Sequence, residues 1–256
     1  MDSVARTRVI FAVMAALLFA ASATATALRF TSMAAMGGTP MPGGWTLSAA
    51  WLPLCGQTWL HTAASFVSMW ATMTPAMMLP ALAPMLWRER RSLTLHSGWL
   101  IILSAAGYFS AWLLAGVLLF PIGAAVASLA VRVPLIARAA PLATGLIVVV
   151  AGVLQCSAWK ANQLHACHSI RHCQMTSPVD ALAAWRSGVR FAVRCASCCG
   201  NWLAVLLATG VMDREATLIV SVAIAVERIA ASRGRLVRLV GVSSVAAGVM
   251  LIARAL

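Results

Sequence analysis

Three thiols, Cys195, Cys198 and Cys199, stand within five residues in the stretch RFAVRCASCCGNW, flanked by Arg190 and Arg194. On a helix, positions i, i+3 and i+4 share one face, so the three sulfurs could reach a single ion. Nearby cations and a helix amino terminus favour thiolate over thiol, because both stabilise the negative form. Upstream, KANQLHACHSIRHCQ adds His165, His168 and His172 to Cys167 and Cys173; with Cys156, six of the seven cysteines fall within 156–199. Thiolates and imidazoles are the ligand types of copper(I) and zinc, so the stretch is read as binding metal or doing redox chemistry. Cys195, Cys198, Cys199 and Cys167 are the core ligand candidates, with Cys173, His165 and His168 beside them. Single members carry little, since cysteine is among the most buried residue types; Cys156 alone reads as packing, and His61 and His96 support nothing.

A second pattern of soft ligands lies in WATMTPAMMLPALAPMLW. Met69, Met73 and Met77 recur every four residues and so line one side of a helix, while Pro75, Pro80 and Pro84 each remove an amide donor. A repeatedly interrupted membrane helix leaves carbonyls that must face protein or a cavity, the way ion paths are often built. Taken alone, a methionine stripe is adaptable packing. Its interest is in combination with Met33, Met36 and Met41 in RFTSMAAMGGTPMPGGW and with the Cys/His stretch: thioethers outside, thioethers through the membrane, thiolates and imidazoles inside. Met73 and Met77 are the candidate path residues.

The elements that must position these groups are read from composition. Hydrophobic residues make up 62% of the 256, charged ones 10%, and mean hydropathy is +0.90, outside the range of a soluble domain. The expectation is an all-α, polytopic transmembrane helix bundle, a single integral membrane domain over 1–256. About seven spans fall near 9–27, 59–87, 99–120, 141–159, 191–212, 216–229 and 236–253, with a Cys/His-rich loop over 160–190. The first run ends in small residues like a signal peptide, but it is long enough to cross a bilayer and is read as a retained helix. Residues 121–140, with Pro121 and Pro134, read as an interfacial or re-entrant segment.

Charge sets the orientation. With the amino terminus cytoplasmic, fourteen of the nineteen basic residues fall inside and five outside, which follows the positive-inside rule and puts the carboxyl terminus outside. The net charge of +13 is then mostly topology, and no nucleic-acid partner is needed. The Cys/His stretch lies on the cytoplasmic side, where a structural disulfide framework is not expected.

The chain resembles a bacterial family of predicted metal-binding integral membrane proteins. The resemblance rests on W-x-x-M-x-x-A-M-M-L-P from Trp70, G-Y-x-x-x-W from Gly107, A-G-x-x-Q from Ala151 with Lys160 following, C-x-x-C-C from Cys195, G-V-M-D from Gly210 and the pair Glu227 and Arg228. Two departures stand out. Many relatives look like C-L-x-x-C where this chain has Gln163, Leu164 and Cys167, and relatives tend to place Trp directly after the paired cysteines, where Gly200 and Asn201 precede Trp202. The missing thiol puts a four-sulfur site in doubt, with Cys173, His165 or His168 as replacement ligands.

These readings converge on a multi-pass protein of the bacterial inner membrane that holds or moves a soft metal ion, copper first and zinc second. Its partners are the bilayer, the metal ion and other membrane subunits or a metallochaperone. Lys160 and Glu227 are either helix-pairing charges or support for the ligands. Two rivals are a membrane thiol–disulfide oxidoreductase working with a quinone, and a non-catalytic subunit or assembly factor using the small residues Gly241, Ser243, Ser244, Ala247 and Gly248 of the last span. Six acidic residues and the absence of G-x-S-x-G, H-E-x-x-H or a phosphate loop argue against a hydrolase or ATP coupling.

Overall fold

The computed structural model describes residues 3–35, 37–48, 50–53, 56–92, 98–169, 180–229 and 234–255. Side chains are described for these except 3–5, 33–35, 81, 84, 88–92, 164–169, 228, 229, 234 and 235. The architecture is all-α apart from one short hairpin. In chain order it runs α1 (Ser3–Ala35), β1 (Gly38–Met41), β2 (Trp45–Ser48), α2 (Trp59–Ser92), α3 (Gly98–Arg132), α4 (Pro134–Gln155), α5 (Ala158–Ser169), α6 (Ala181–Thr209), α7 (Arg214–Ile229) and α8 (Gly234–Ala255).

Among the described residues, five stretches are long and apolar enough to cross a membrane: Arg6–Ser32, Gly98–Arg132, Pro134–Gln155, Ala181–Thr209 and Leu236–Ala255. The 16-residue α7 is short. Threonines, prolines and tryptophans dilute α2, and α2 is also the helix with the most enclosed face: Phe66, Met69, Trp70, Met73, Met77 and Met78 are all buried. A helix surrounded by protein is not required to be soluble in hydrocarbon. Large apolar side chains instead point outward along other helices, as with Leu114, Leu118, Ile122 and Val126 of α3.

Three packed helix pairs run antiparallel. Phe11 packs on Trp87 at 5.4 Å and Arg29 donates to Ser68 at 2.9 Å, which sets α1 antiparallel to α2. Phe66 meets Phe120 at 5.5 Å and Trp70 Nε1 donates to the Trp112 carbonyl at 2.8 Å, which sets α2 antiparallel to α3. Thr144 donates to the Ala208 carbonyl at 3.0 Å and Asn201 to Gln155 at 2.6 Å, so α4 and α6 also run oppositely. On α4, Gly145 and Gly152 meet Gly248 and Gly241 of α8 so closely that a β-carbon on Gly152 would stand 2.8 Å from the Gly241 carbonyl. Of the small residues of α8, Gly241 and Gly248 therefore serve a contact with α4, while Ser243 and Ala247 are exposed.

Several expected boundaries move. The helix continues through Pro121 to Arg132, so residues 121–132 extend α3 and 134–140 open α4. The break comes at Val133, held extended (φ −121°, ψ 100°) by the proline that follows and opens α4. The loop expected over 160–190 is helical at both ends: α5 follows a break at Cys156 and Ser157, and α6 starts ten residues before 191, capped by Asp180 accepting from the Ala183 amide at 2.7 Å. The hairpin was not expected at all. Its turn uses Gly43 (φ 109°) and Gly44 (φ 77°), and Met41 and Leu47 pack on Ala127, Ala130 and Ala137, with Trp45 Nε1 donating to the Ala137 carbonyl at 2.8 Å. Met41 is thus a packing residue, at odds with an outer role in metal capture.

Candidate metal centre

The site begins with two glycines. A β-carbon on Gly107 of α3 would lie 2.4 Å from the Trp185 carbonyl, and one on Gly188 of α6 would lie 1.9 Å from the Ser104 carbonyl, so only glycine lets these backbones approach. That approach brings Tyr108 of α3 against the thiols of α6. Its ring packs on Phe191 at 5.5 Å and on Trp112 at 6.4 Å, and its hydroxyl donates to Cys195 Sγ at 3.2 Å.

Cys195, Cys198 and Cys199 are all buried, at 1%, 1% and 2% exposure, as the i, i+3, i+4 spacing required. They do not all face the same neighbour. Cys195 and Cys199 belong to the main core, and Cys199 Sγ donates to the Cys195 carbonyl one turn back at 3.0 Å. Cys198 turns to α5, with Sγ 3.4 Å from the Gln163 carbonyl, and it is disulfide-bonded. As half of a disulfide it has no proton to donate, so the approach to Gln163 is a contact. Cys156 is exposed.

One expected feature is absent. Cys195 is the fifteenth of the 29 residues of α6, roughly 21 Å from the helix start at 1.5 Å per residue. The stabilising effect of a helix amino end fades within its first turn, so it does not act on these thiols. Arg190 and Arg194 are exposed, while the sulfurs are buried.

Beneath the thiols lies a buried polar network. Lys160 Nζ stands 3.1 Å from Glu227 Oε2 and donates to Asn201 Oδ1 at 3.0 Å and to the Cys198 carbonyl. Gln155 Nε2 and Trp202 Nε1 both donate to Glu227 Oε1, and Asn201 Nδ2 donates to Gln155. Four helices, α4 to α7, therefore meet at one ion pair whose remaining lone pairs and protons are used, the condition for keeping charge in an apolar interior. Asn201, a departure from the resembled pattern, is the residue that joins Lys160 to Gln155.

Met73 and Met77 are buried at 1% and 4%, with Met69, Met78 and Met85 also buried. They belong to the same contiguous core as Cys195 and Cys199. His165, Cys167 and His168 lie on α5 by their backbone, but their side chains are outside the described residues, as are Cys173 and His172 entirely. Met33 and Met36 also fall there, together with Cys55 and His96. Among the described residues, no three His, Cys, Asp or Glu side chains gather in a metal-holding group. Sequence reasoning missed Tyr108 and Asn201 as site residues. The G-Y-x-x-x-W motif was the available signal for the first.

The family model described as PpoB2, copper chaperone, matches residues 67–251, from within α2 to within α8. No curated protein and no solved structure matches the chain.

Proposed function

Because the chain belongs to the PpoB2 copper-chaperone family, we propose that it is an integral membrane copper(I) carrier, passing the ion along Met73 and Met77 to the thiols of α6. The observation that carries this reading is that Met73, Met77, Cys195 and Cys199 are buried in one continuous core. Neutral thioethers hold copper(I) weakly and thiolates hold it strongly, so the order from methionine to cysteine is downhill for a soft ion. Cys167, Cys173, His165 and His168 are the further ligands proposed on the cytoplasmic side, where a soluble acceptor would collect the ion. As a ligand Cys198 would first need its disulfide reduced, since the thiolate is what binds metal. No finding supports zinc.

The proposed setting is the bacterial inner membrane. Seven helices, α1, α2, α3, α4 with α5 as its continuation, α6, α7 and α8, cross in alternating directions from a cytoplasmic amino terminus. The network around Lys160 and Glu227 ties α4, α5 and α7 to α6 beside Cys198, and so keeps the thiol-bearing turn in place.

The test is metal analysis of the chain purified in detergent from copper-supplemented cells. Wild type is expected to retain copper, and the Cys195→Ser/Cys198→Ser/Cys199→Ser variant to lose it. Equal copper in the two, or none in wild type, would end the proposal. One observation favours a second reading, a thiol–disulfide oxidoreductase: the disulfide at Cys198. That reading requires the reduced pair to be reoxidised by a quinone, which a quinone-reduction assay on the dithiol form measures directly.

A further inference from the structure

The C-x-x-C-C motif holds three thiols in one turn and a half, yet the fold treats them differently. At about 100° per residue, Cys195 and Cys199 are separated by roughly 40° around the helix, whereas Cys198 lies roughly 100° from Cys199 on the other side of Cys195. The first two face the core shared with Tyr108, Trp112 and the methionines of α2. The third faces α5, at the Gln163 carbonyl, and is already in a disulfide.

We propose that this motif is two devices: Cys195 and Cys199 form a two-coordinate copper(I) site with Tyr108 as a positioning residue, while Cys198 is a covalent tie and not a ligand. The inference rests on the copper reading above and narrows it to two sulfurs. Side chains at i and i+4 have β-carbons about 5–6 Å apart, within reach of one ion bridging their sulfurs. Copper(I) is satisfied by two thiolates, whereas structural zinc takes four ligands in a tetrahedron, so a two-thiol pocket walled by apolar side chains selects copper. Loading forms two Cu–S bonds, breaks two S–H bonds and releases the ligands that delivered the copper, acetonitrile in the test below. The protons leave to water, copper stays +1 and no electron moves.

The product carries one negative charge in a buried place, and the pocket supplies a donor for it. Tyr108 already directs its O–H at Cys195 Sγ, a bond that strengthens when the sulfur becomes anionic. Trp112 lies buried beside Tyr108 in the same pocket, its ring 6.4 Å from the tyrosine ring. Cys198 needs no such help as a disulfide. Cys198 itself is 1% exposed.

The experiment loads the full chain, purified in detergent without reductant, with copper(I) supplied as its acetonitrile complex under argon. Bound copper per chain is measured after desalting, disulfides are mapped by mass spectrometry, and affinity is measured by competition with a copper(I) chelator. Unreduced wild type and Cys198→Ser are each expected to bind one copper(I), with Cys198 still bridged in the former. Cys195→Ser and Cys199→Ser are expected to lose it. Tyr108→Phe should keep the fold, one copper and a Cu–S absorption band of altered energy, but bind roughly ten- to a hundredfold more weakly, the worth of a hydrogen bond to a charged group. Copper that binds wild type only after disulfide reduction, or that survives in Cys195→Ser and Cys199→Ser, overturns the division of the motif while leaving the copper reading intact. No copper in wild type, reduced or not, overturns both. Comparing unreduced with reduced wild type needs no variant, so misfolding of Cys198→Ser cannot mask the answer.

Discussion

Among the described residues, Lys160 and Glu227 are the charges kept deep inside, their side chains 1% and 4% exposed. Removing one partner of a buried pair strands the other, so Lys160→Met is expected to cost roughly 3–5 kcal/mol. The double variant Lys160→Met/Glu227→Gln carries no buried charge and still accepts from Gln155 and Trp202, so it should recover more than half of that loss. Thermal unfolding in detergent reads both, and a single-variant cost below about 1 kcal/mol would mark the pair as solvated. Both charges could be suspected from the sequence, because an ionisable residue next to an apolar run needs a partner. Their companions could not: Gln155 and Asn201 are ordinary polar residues until helices 46 positions apart in sequence place them 2.6 Å from each other. Tyr108 was hidden for the same reason, its bond to Cys195 spanning 87 residues of chain. The thiols themselves were legible, since helical spacing alone dictates that Cys195, Cys198 and Cys199 share a side, but the finer split between core and α5 depends on what packs there.

The pair α3 and α6 is where packing decides the chemistry. A β-carbon on Gly188 would sit 1.9 Å from a carbonyl that belongs to the helix wall and cannot rotate away. Gly188→Val should therefore push α6 off α3 at a cost of about 1–3 kcal/mol, and weaken copper binding as Tyr108→Phe does. Gly200, on the same helix with nothing within 4 Å of its would-be β-carbon, is the control. Gly200→Ala should raise stability by up to about 1 kcal/mol, the helix-propensity difference, and leave copper binding unchanged. Equal damage from the two substitutions would show that the close approach of α3 and α6 has no special role. Helices were legible as apolar runs, but their ends were not. Proline marks a break in water, yet Pro121 lies inside α3, where neighbouring helices and a single lost donor make it tolerable, and the real break is at Val133. The hairpin escaped because each strand has four residues and no alternation long enough to register, although two adjacent glycines mark its turn.

At the scale of the whole molecule, the proposed topology places the amino terminus inside and the carboxyl terminus outside, on the strength of the charge asymmetry. The two helices that fall short by length or hydropathy, α2 and α7, are the ones that need checking. Topology reporters inserted at 93–97 and at 230–233 should both report the cytoplasm if these helices cross. A reporter at 230–233 that appears outside would remove α7 as a span and reverse the carboxyl terminus. Composition made the apolar helices legible at once, and five of the described ones are long and apolar enough to cross a membrane. Copper as the cargo was foreshadowed only by the soft ligand types and is supported by membership of the copper-chaperone family. The direct test of the central claim, that buried sulfur on α6 holds the ion, is X-ray absorption at the copper K edge on the copper-loaded full chain in detergent. The account predicts copper(I) with a first shell of two sulfurs and no nitrogen or oxygen. A shell of nitrogen and oxygen, or a copper(II) edge under argon, would contradict it.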